Sequence, residues 1–108
     1  LPLPDETTIL DIIEKLQGVN LAQRTPERVA HRRADLVRRR KVIETRDASV
    51  NINDGGKIYV EFTLRCESGT YVKETVHGDD GRTQPSIASL IKAKCTVEWL
   101  DVGDIHAD

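Results

Sequence analysis

The chain has 108 residues, 38% hydrophobic and 4% aromatic, which is enough for one small domain or a portion of a larger one. No apolar run approaches the roughly 20 residues of a membrane span. Leu1-Pro2-Leu3-Pro4-Asp5 also lacks the basic start and apolar stretch of a signal peptide, so a cytoplasmic protein is the expectation. A chain that begins at Leu1 and contains no methionine is expected to be a fragment or processed piece of a longer product.

In chain order, Asp5 to Gln17 reads as a helix. Ile9, Leu10, Ile12, Ile13 and Leu16 form one apolar stripe, Pro4 precedes it and Gly18 suits its end. Val19 to Arg24 reads as extended and stops at Thr25-Pro26, because a residue before proline avoids helical angles. Val29 to Arg33 is expected as a strand and Ala34 to Arg39 as a short helical turn. Lys41 to Asn53 and Lys57 to Cys66 read as strands joined at Asn53-Asp54-Gly55-Gly56, whose residues tolerate positive φ. Tyr59, Phe62 and Leu64 break strict alternation, which predicts a bulge in the second of these strands. Gly69 to Val76 reads as a turn into a short helix, Pro85 to Lys92 as another helix with Ile87, Leu90 and Ile91 apolar, and Cys95 to Val102 as a closing strand. Hairpin strands with intervening helices predict an α+β layer, a mainly antiparallel sheet covered by helices, over the single unit 1–108.

The net charge of −2 conceals an asymmetry. Residues 24–41 hold Arg24, Arg28, Arg32, Arg33, Arg38, Arg39, Arg40 and Lys41 against Glu27 and Asp35, a local charge of +6, which leaves −8 on the remainder. A basic block in an acidic chain is the footprint of a polyanion partner, although a solvated face or pairing with the acidic surplus gives the same composition. Cys66 and Cys95 form no C-x-x-C pair, and His31, His77 and His106 are scattered, so no metal set is expected and the thiols read as reduced and partly buried.

The stretch Arg65 to Thr83 carries the most chemistry. Tyr71 offers a flat face for a nucleobase and a hydroxyl. Lys73 offers a point charge for a carboxylate or phosphate, and on a strand-to-helix turn both can point into one cleft. Gly69 permits close backbone approach, and Arg82 beside Gly78-Asp79-Asp80-Gly81 can meet a phosphate. The residues alone leave a plainer alternative open: a core tyrosine, a solvated lysine and a simple turn. Adjacent carboxylates such as Asp79 and Asp80 are usually solvated rather than metal-binding or acid–base pairs.

Cys66-Glu67-Ser68-Gly69-Thr70-Tyr71-Val72-Lys73 resembles the third motif of pseudouridine synthases, C-x-x-G-T-Y-(I/V)-(R/K), also seen in the bacterial TruB branch. Its extension through His77-Gly78-Asp79-Asp80-Gly81-Arg82-Thr83-Gln84-Pro85, and the upstream Leu21 to Asp35, are similar to the archaeal and eukaryotic T-loop tRNA pseudouridine synthases, the Pus-ten family. The resemblance covers Leu16 to Ile105 and implies the C-terminal portion of a catalytic domain. It implies a mixed, largely antiparallel sheet flanked by helices and an RNA cleft. The implied reaction is isomerisation of uridine to pseudouridine in the tRNA T-loop, without metal or organic cofactor, on a base flipped from its stack.

By the same resemblance Tyr71 packs against the flipped base and helps remove the C5 proton, and Lys73 pairs with the catalytic aspartate. Gly69 and Leu90 belong to the pocket. Arg24, Arg28, Arg32, Arg33, Arg38, Arg39, Arg40 and Arg82 are the expected RNA contacts. The partners implied are tRNA and the remainder of the parent chain. No residue here matches the aspartate motif: Asp35, Asp79, Asp80 and Asp101 all lie outside it. The family's amino-terminal accessory domain with paired cysteines has no counterpart either, and Asp80 stands where an aromatic residue is expected in the Gly-Asp-x-Gly-Arg loop. The isolated chain is therefore expected to be inactive, with an exposed sheet edge where the parent domain is divided. The alternative is a noncatalytic RNA-binding module.

Overall fold

The computed structural model describes residues 4–101. Helix α1 (Glu6–Lys15) starts at Asp5, whose carboxylate accepts from the Thr8 N–H at 2.8 Å, and a positive-φ Gly18 turns the chain into the sheet. Strand β1 (Asn20–Arg24) and strand β2 (Val37–Ile52) pair antiparallel, Leu21 opposite Arg40 and Arg24 opposite Val37. Strand β3 (Ile58–Cys66) closes a hairpin on β2. The turn between them is set by the Asn53 side chain, which accepts from the N–H groups of Gly55 and Lys57 at 3.0 and 2.9 Å. Helix α2 (Val72–His77), strand β4 (Thr83–Gln84) and helix α3 (Ile87–Ile91) follow, and the sheet order is β3-β2-β1-β4 with every pairing antiparallel. The architecture is α+β, as the sequence predicts.

Four local expectations are corrected. Val29 to Arg33 is not a strand: a 3-10 turn spans Glu27–Val29, and Val29 alone of that segment is buried. Ala34 to Arg39 contains no helical turn. The Thr25 hydroxyl donates to the Ala34 carbonyl at 2.6 Å, its backbone N–H donates to the Leu36 carbonyl at 2.8 Å, and the chain enters β2 in register with β1. Pairing with β1 there outweighs the helical preference of arginine. The irregularity lies in β2, not β3. Extra residues interrupt β2 between Val42 and Glu44 and between Arg46 and Ser49, while β3 alternates without interruption. Cys95 to Asp101 forms no strand, and the last residue of that expectation, Val102, lies outside the described residues. The edge strand on that side of the chain order is instead the two-residue β4, too short to register as an apolar alternation.

The helices cover one face of the sheet. Leu16, Leu21, Val42 and Ile87 form the buried centre, with Phe62, Leu64, Val76 and Ile91 packed against it. The alternate residues of β2, Val37, Arg39 and Lys41, are exposed on the opposite face, Val37 at 66%. The buried set contains nearly as many polar as apolar side chains: Gln23, Thr25, Thr45, Glu74, Thr75, Thr83 and Ser86 are all inside. Directional bonds therefore specify this interior along with apolar packing, and most of them converge where β1 meets α2 and β4.

Candidate functional site

Tyr71 is the N-terminal flanking residue of α2 in extended geometry (φ −83°, ψ 99°), and its position is fixed from β1. The Gln23 side chain accepts from the Tyr71 N–H at 3.0 Å and donates to the Tyr71 carbonyl at 3.0 Å and to the Thr75 hydroxyl at 3.2 Å. Thr75 in turn donates to the Tyr71 carbonyl at 3.0 Å. One turn along α2, Glu74 is buried and receives a two-point bond from Arg28, Nε to Oε2 at 2.9 Å and Nη2 to Oε1 at 3.2 Å. The same guanidinium lies 5.9 Å from the centre of the Tyr71 ring. Arg28 thus brackets the aromatic side chain from one side while Gln23 holds its backbone. The hydrogen bonds to Glu74 raise the Arg28 pKa further above its ordinary value.

Lys73 behaves differently. It is exposed and has no hydrogen bond or ion pair among the described residues. It lines an open cleft of about 1110 Å³ together with His77, the Gly78–Gly81 loop, Pro85, Ser86 and Lys94 to Val97. Tyr71 is not in that lining. Residues two apart at a helix start leave in different directions, so the two motif side chains flank α2 rather than share this one cleft.

The arginines divide into two groups. Arg24 holds Asp35 through two bonds of 2.9 and 2.7 Å, and those bonds keep the Asp35 carboxyl below its ordinary pKa. Arg82 is largely buried. It donates to the Thr25 carbonyl at 2.9 Å and lies 3.4 Å from Glu27, 3.7 Å from Asp79 and 3.9 Å from Asp35. Arg24, Arg28 and Arg82 are therefore engaged in internal ion pairs. Arg32, Arg33, Arg38 and Arg39 have no side-chain partner among the described residues. Arg40 donates to the Arg39 carbonyl at 2.8 Å, its buried Nε has no partner among the described residues, and its guanidinium lies against Gly69. A Cβ on Gly69, at φ +85°, would meet that guanidinium at 3.3 Å. Leu90 is 41% exposed and is absent from the lining of the Lys73 cleft.

In the Gly78–Gly81 loop every residue has positive φ. Asp79 accepts from the Glu27 N–H at 2.8 Å, so this carboxylate anchors the 3-10 turn, while Asp80 is exposed. Among the described residues no three His, Cys, Asp or Glu side chains converge as a metal set. Burial raises the pKa of the Cys66 and Cys95 thiols. Sequence reasoning passed over Gln23, Glu74 and Thr75. Gln23 did leave a signal: it sits between Leu21 and Thr25 in a strand whose alternate residues point inward.

No helix among the described residues is long and apolar enough to cross a membrane. Residues 4–106 match the family model described as Pus10, C-terminal. The chain is 43% identical over 98 residues to the tRNA pseudouridine synthase Pus10 of Methanocaldococcus jannaschii, covering 90% of this chain and 20% of that protein. It is 43% identical over 101 residues to the Methanopyrus kandleri protein of the same name (94% and 22%), and 44% identical over 94 residues to that of Archaeoglobus fulgidus (87% and 25%). The chain thus spans between a fifth and a quarter of the length of these relatives.

Proposed function

This chain belongs to the Pus10 C-terminal family, and from that premise we propose that it is the C-terminal portion of the catalytic domain of a tRNA pseudouridine synthase acting on T-loop uridine. The reaction breaks the N1–C1′ glycosidic bond, turns the uracil, and joins C5 to C1′. N1 gains a proton and C5 loses one, so no redox partner or cofactor is needed. Lys73 holds the carboxylate of an aspartate supplied by the rest of the parent chain and keeps it ionised. Tyr71 packs on the flipped base, whose extrusion costs a few kcal/mol, and assists loss of the C5 proton. Arg32, Arg33, Arg38 and Arg39 neutralise phosphates of the tRNA backbone.

One observation carries this reading. Arg28 is matched with Glu74, Arg24 with Asp35 and Arg82 with Glu27 and Asp79, yet Lys73, at the wall of a cleft, has no partner among the described residues. An unpaired cation at the wall of a cleft is suited to an anion from outside the chain. The test is product mapping on a tRNA transcript. The full-length parent should convert T-loop uridine to pseudouridine, and the isolated chain should bind the transcript without converting it. Product from the isolated chain would overturn the assigned division of labour. A parent that binds tRNA but never modifies it would favour the noncatalytic RNA-binding module.

A further inference from the structure

Gln23 is buried to 2% exposure in β1, between its two strand neighbours: Thr83 of β4 lies opposite it on one side and Arg38 of β2 on the other. A neutral amide in that position has an acceptor and two donors to satisfy. It directs the acceptor and one donor at a single residue. Oε1 takes the N–H of Tyr71 and Nε2 takes the carbonyl of the same residue, both at 3.0 Å, with Thr75 Oγ1 completing the set at 3.2 Å. The Tyr71 carbonyl has further donors in the Thr75 N–H and hydroxyl, at 3.1 and 3.0 Å. The Tyr71 N–H has no acceptor other than Gln23 among the described residues.

This geometry amounts to a planar two-point clamp across 48 residues of sequence. Tyr71 precedes the helix and has no side-chain cap of its own; α2 holds its carbonyl through Thr75, while its N–H is held from β1 by Gln23. The amide plane ties both ends of this residue to β1 and so sets the direction of the Cα–Cβ bond from which the ring projects. We infer that Gln23 is a positioning residue for the isomerisation: it transmits the rigidity of the sheet to Tyr71 and sets the ring where the flipped uracil stacks. The inference rests on the reading that Tyr71 contacts the base.

The test uses the full-length parent with Gln23→Met, Gln23→Glu, Tyr71→Ala and the Gln23→Met/Tyr71→Ala double variant on a tRNA transcript. A ring displaced by about 1 Å costs on the order of 100-fold. Gln23→Met should therefore lower kcat roughly 10- to 100-fold with KM changed less than about threefold. Gln23→Glu keeps the acceptor for the Tyr71 N–H but loses the donor to its carbonyl. It should lose less activity, and its kcat should recover as pH falls and the carboxyl regains a proton to donate. In the Tyr71→Ala background, Gln23→Met should add no further loss, because it acts through the ring that is gone. Loss in the double variant equal to the product of the single losses would assign Gln23 a general structural role and overturn the inference. Full kcat in Gln23→Met would do the same. Should Gln23→Met fail to fold, the pH recovery of Gln23→Glu decides, and its absence counts against the proposal. Wild-type kcat in Tyr71→Ala, by contrast, would refute the underlying reading of Tyr71 itself.

Discussion

Replacing Arg28 by alanine leaves the Glu74 carboxylate inside the fold without its two-point partner; His77 Nε2, at 3.8 Å, is the remaining cationic candidate nearby. Removing one member of a fully buried ion pair costs about 3–5 kcal/mol. Arg28 is 51% exposed and water screens its side of the pair, which reduces the expected loss to about 2–3 kcal/mol. Losing the guanidinium from the Tyr71 ring adds about 0.5 kcal/mol. Urea unfolding of the wild type, Arg28→Ala, Glu74→Gln and the double variant measures the pair directly. The neutral amide removes the stranded charge, so Arg28→Ala/Glu74→Gln should be more stable than the sum of the two single losses predicts, by about 1–2 kcal/mol. An Arg28→Ala loss below about 0.5 kcal/mol, or strict additivity, would refute the claim that this pair braces the start of α2.

Asp35, whose folded pKa is depressed by Arg24, contributes stability that is present above its unfolded pKa and lost as pH falls through the folded one. The stability gap between wild type and Asp35→Asn should therefore close on acidification below about pH 4, and a gap that widens there would contradict the pairing. Gly78→Ala should destabilise by about 2–3 kcal/mol in urea titration, since a side chain at φ +82° is strained and its Cβ would lie 2.6 Å from Ser86 Oγ, the cap of α3; a neutral substitution would show that this cap can move. The salt dependence of tRNA binding should lose roughly 0.7–0.9 of its logarithmic slope for each of Arg32, Arg33, Arg38 and Arg39 changed to alanine. Arg24→Ala and Arg82→Ala should instead reduce stability, and an equal slope change at all six positions would erase the distinction drawn between free and engaged arginines.

The sequence made α1, the β2–β3 hairpin and α2 legible because each carries its own local signal: an apolar stripe with caps, an Asx-Gly turn between β-branched runs, and a glycine before a short helical segment. The return from Thr25 into β2 was not legible. Its conformation is decided by the Thr25 hydroxyl and by pairing with β1, which override the helical preference of the local run of arginines. β4 was missed because two residues carry no periodicity. In the site, Tyr71 and Lys73 stood out as a scarce aromatic and a motif cation. Their supports did not, because Gln23 and Glu74 become informative only when burial shows that each needs a partner. The basic block was legible as charge, yet composition cannot distinguish Arg39, which faces outward with no side-chain partner among the described residues, from Arg82, which ties a loop to Thr25 at the end of β1.

The central claim is that Lys73 waits for a carboxylate from outside this chain. Single-turnover pseudouridine formation by the full-length parent carrying Lys73→Met, measured beside its tRNA affinity, tests it most directly. The account predicts loss of turnover by several orders of magnitude with affinity within a few-fold of wild type. Unchanged turnover, or a loss matched by an equal loss of affinity, would contradict it.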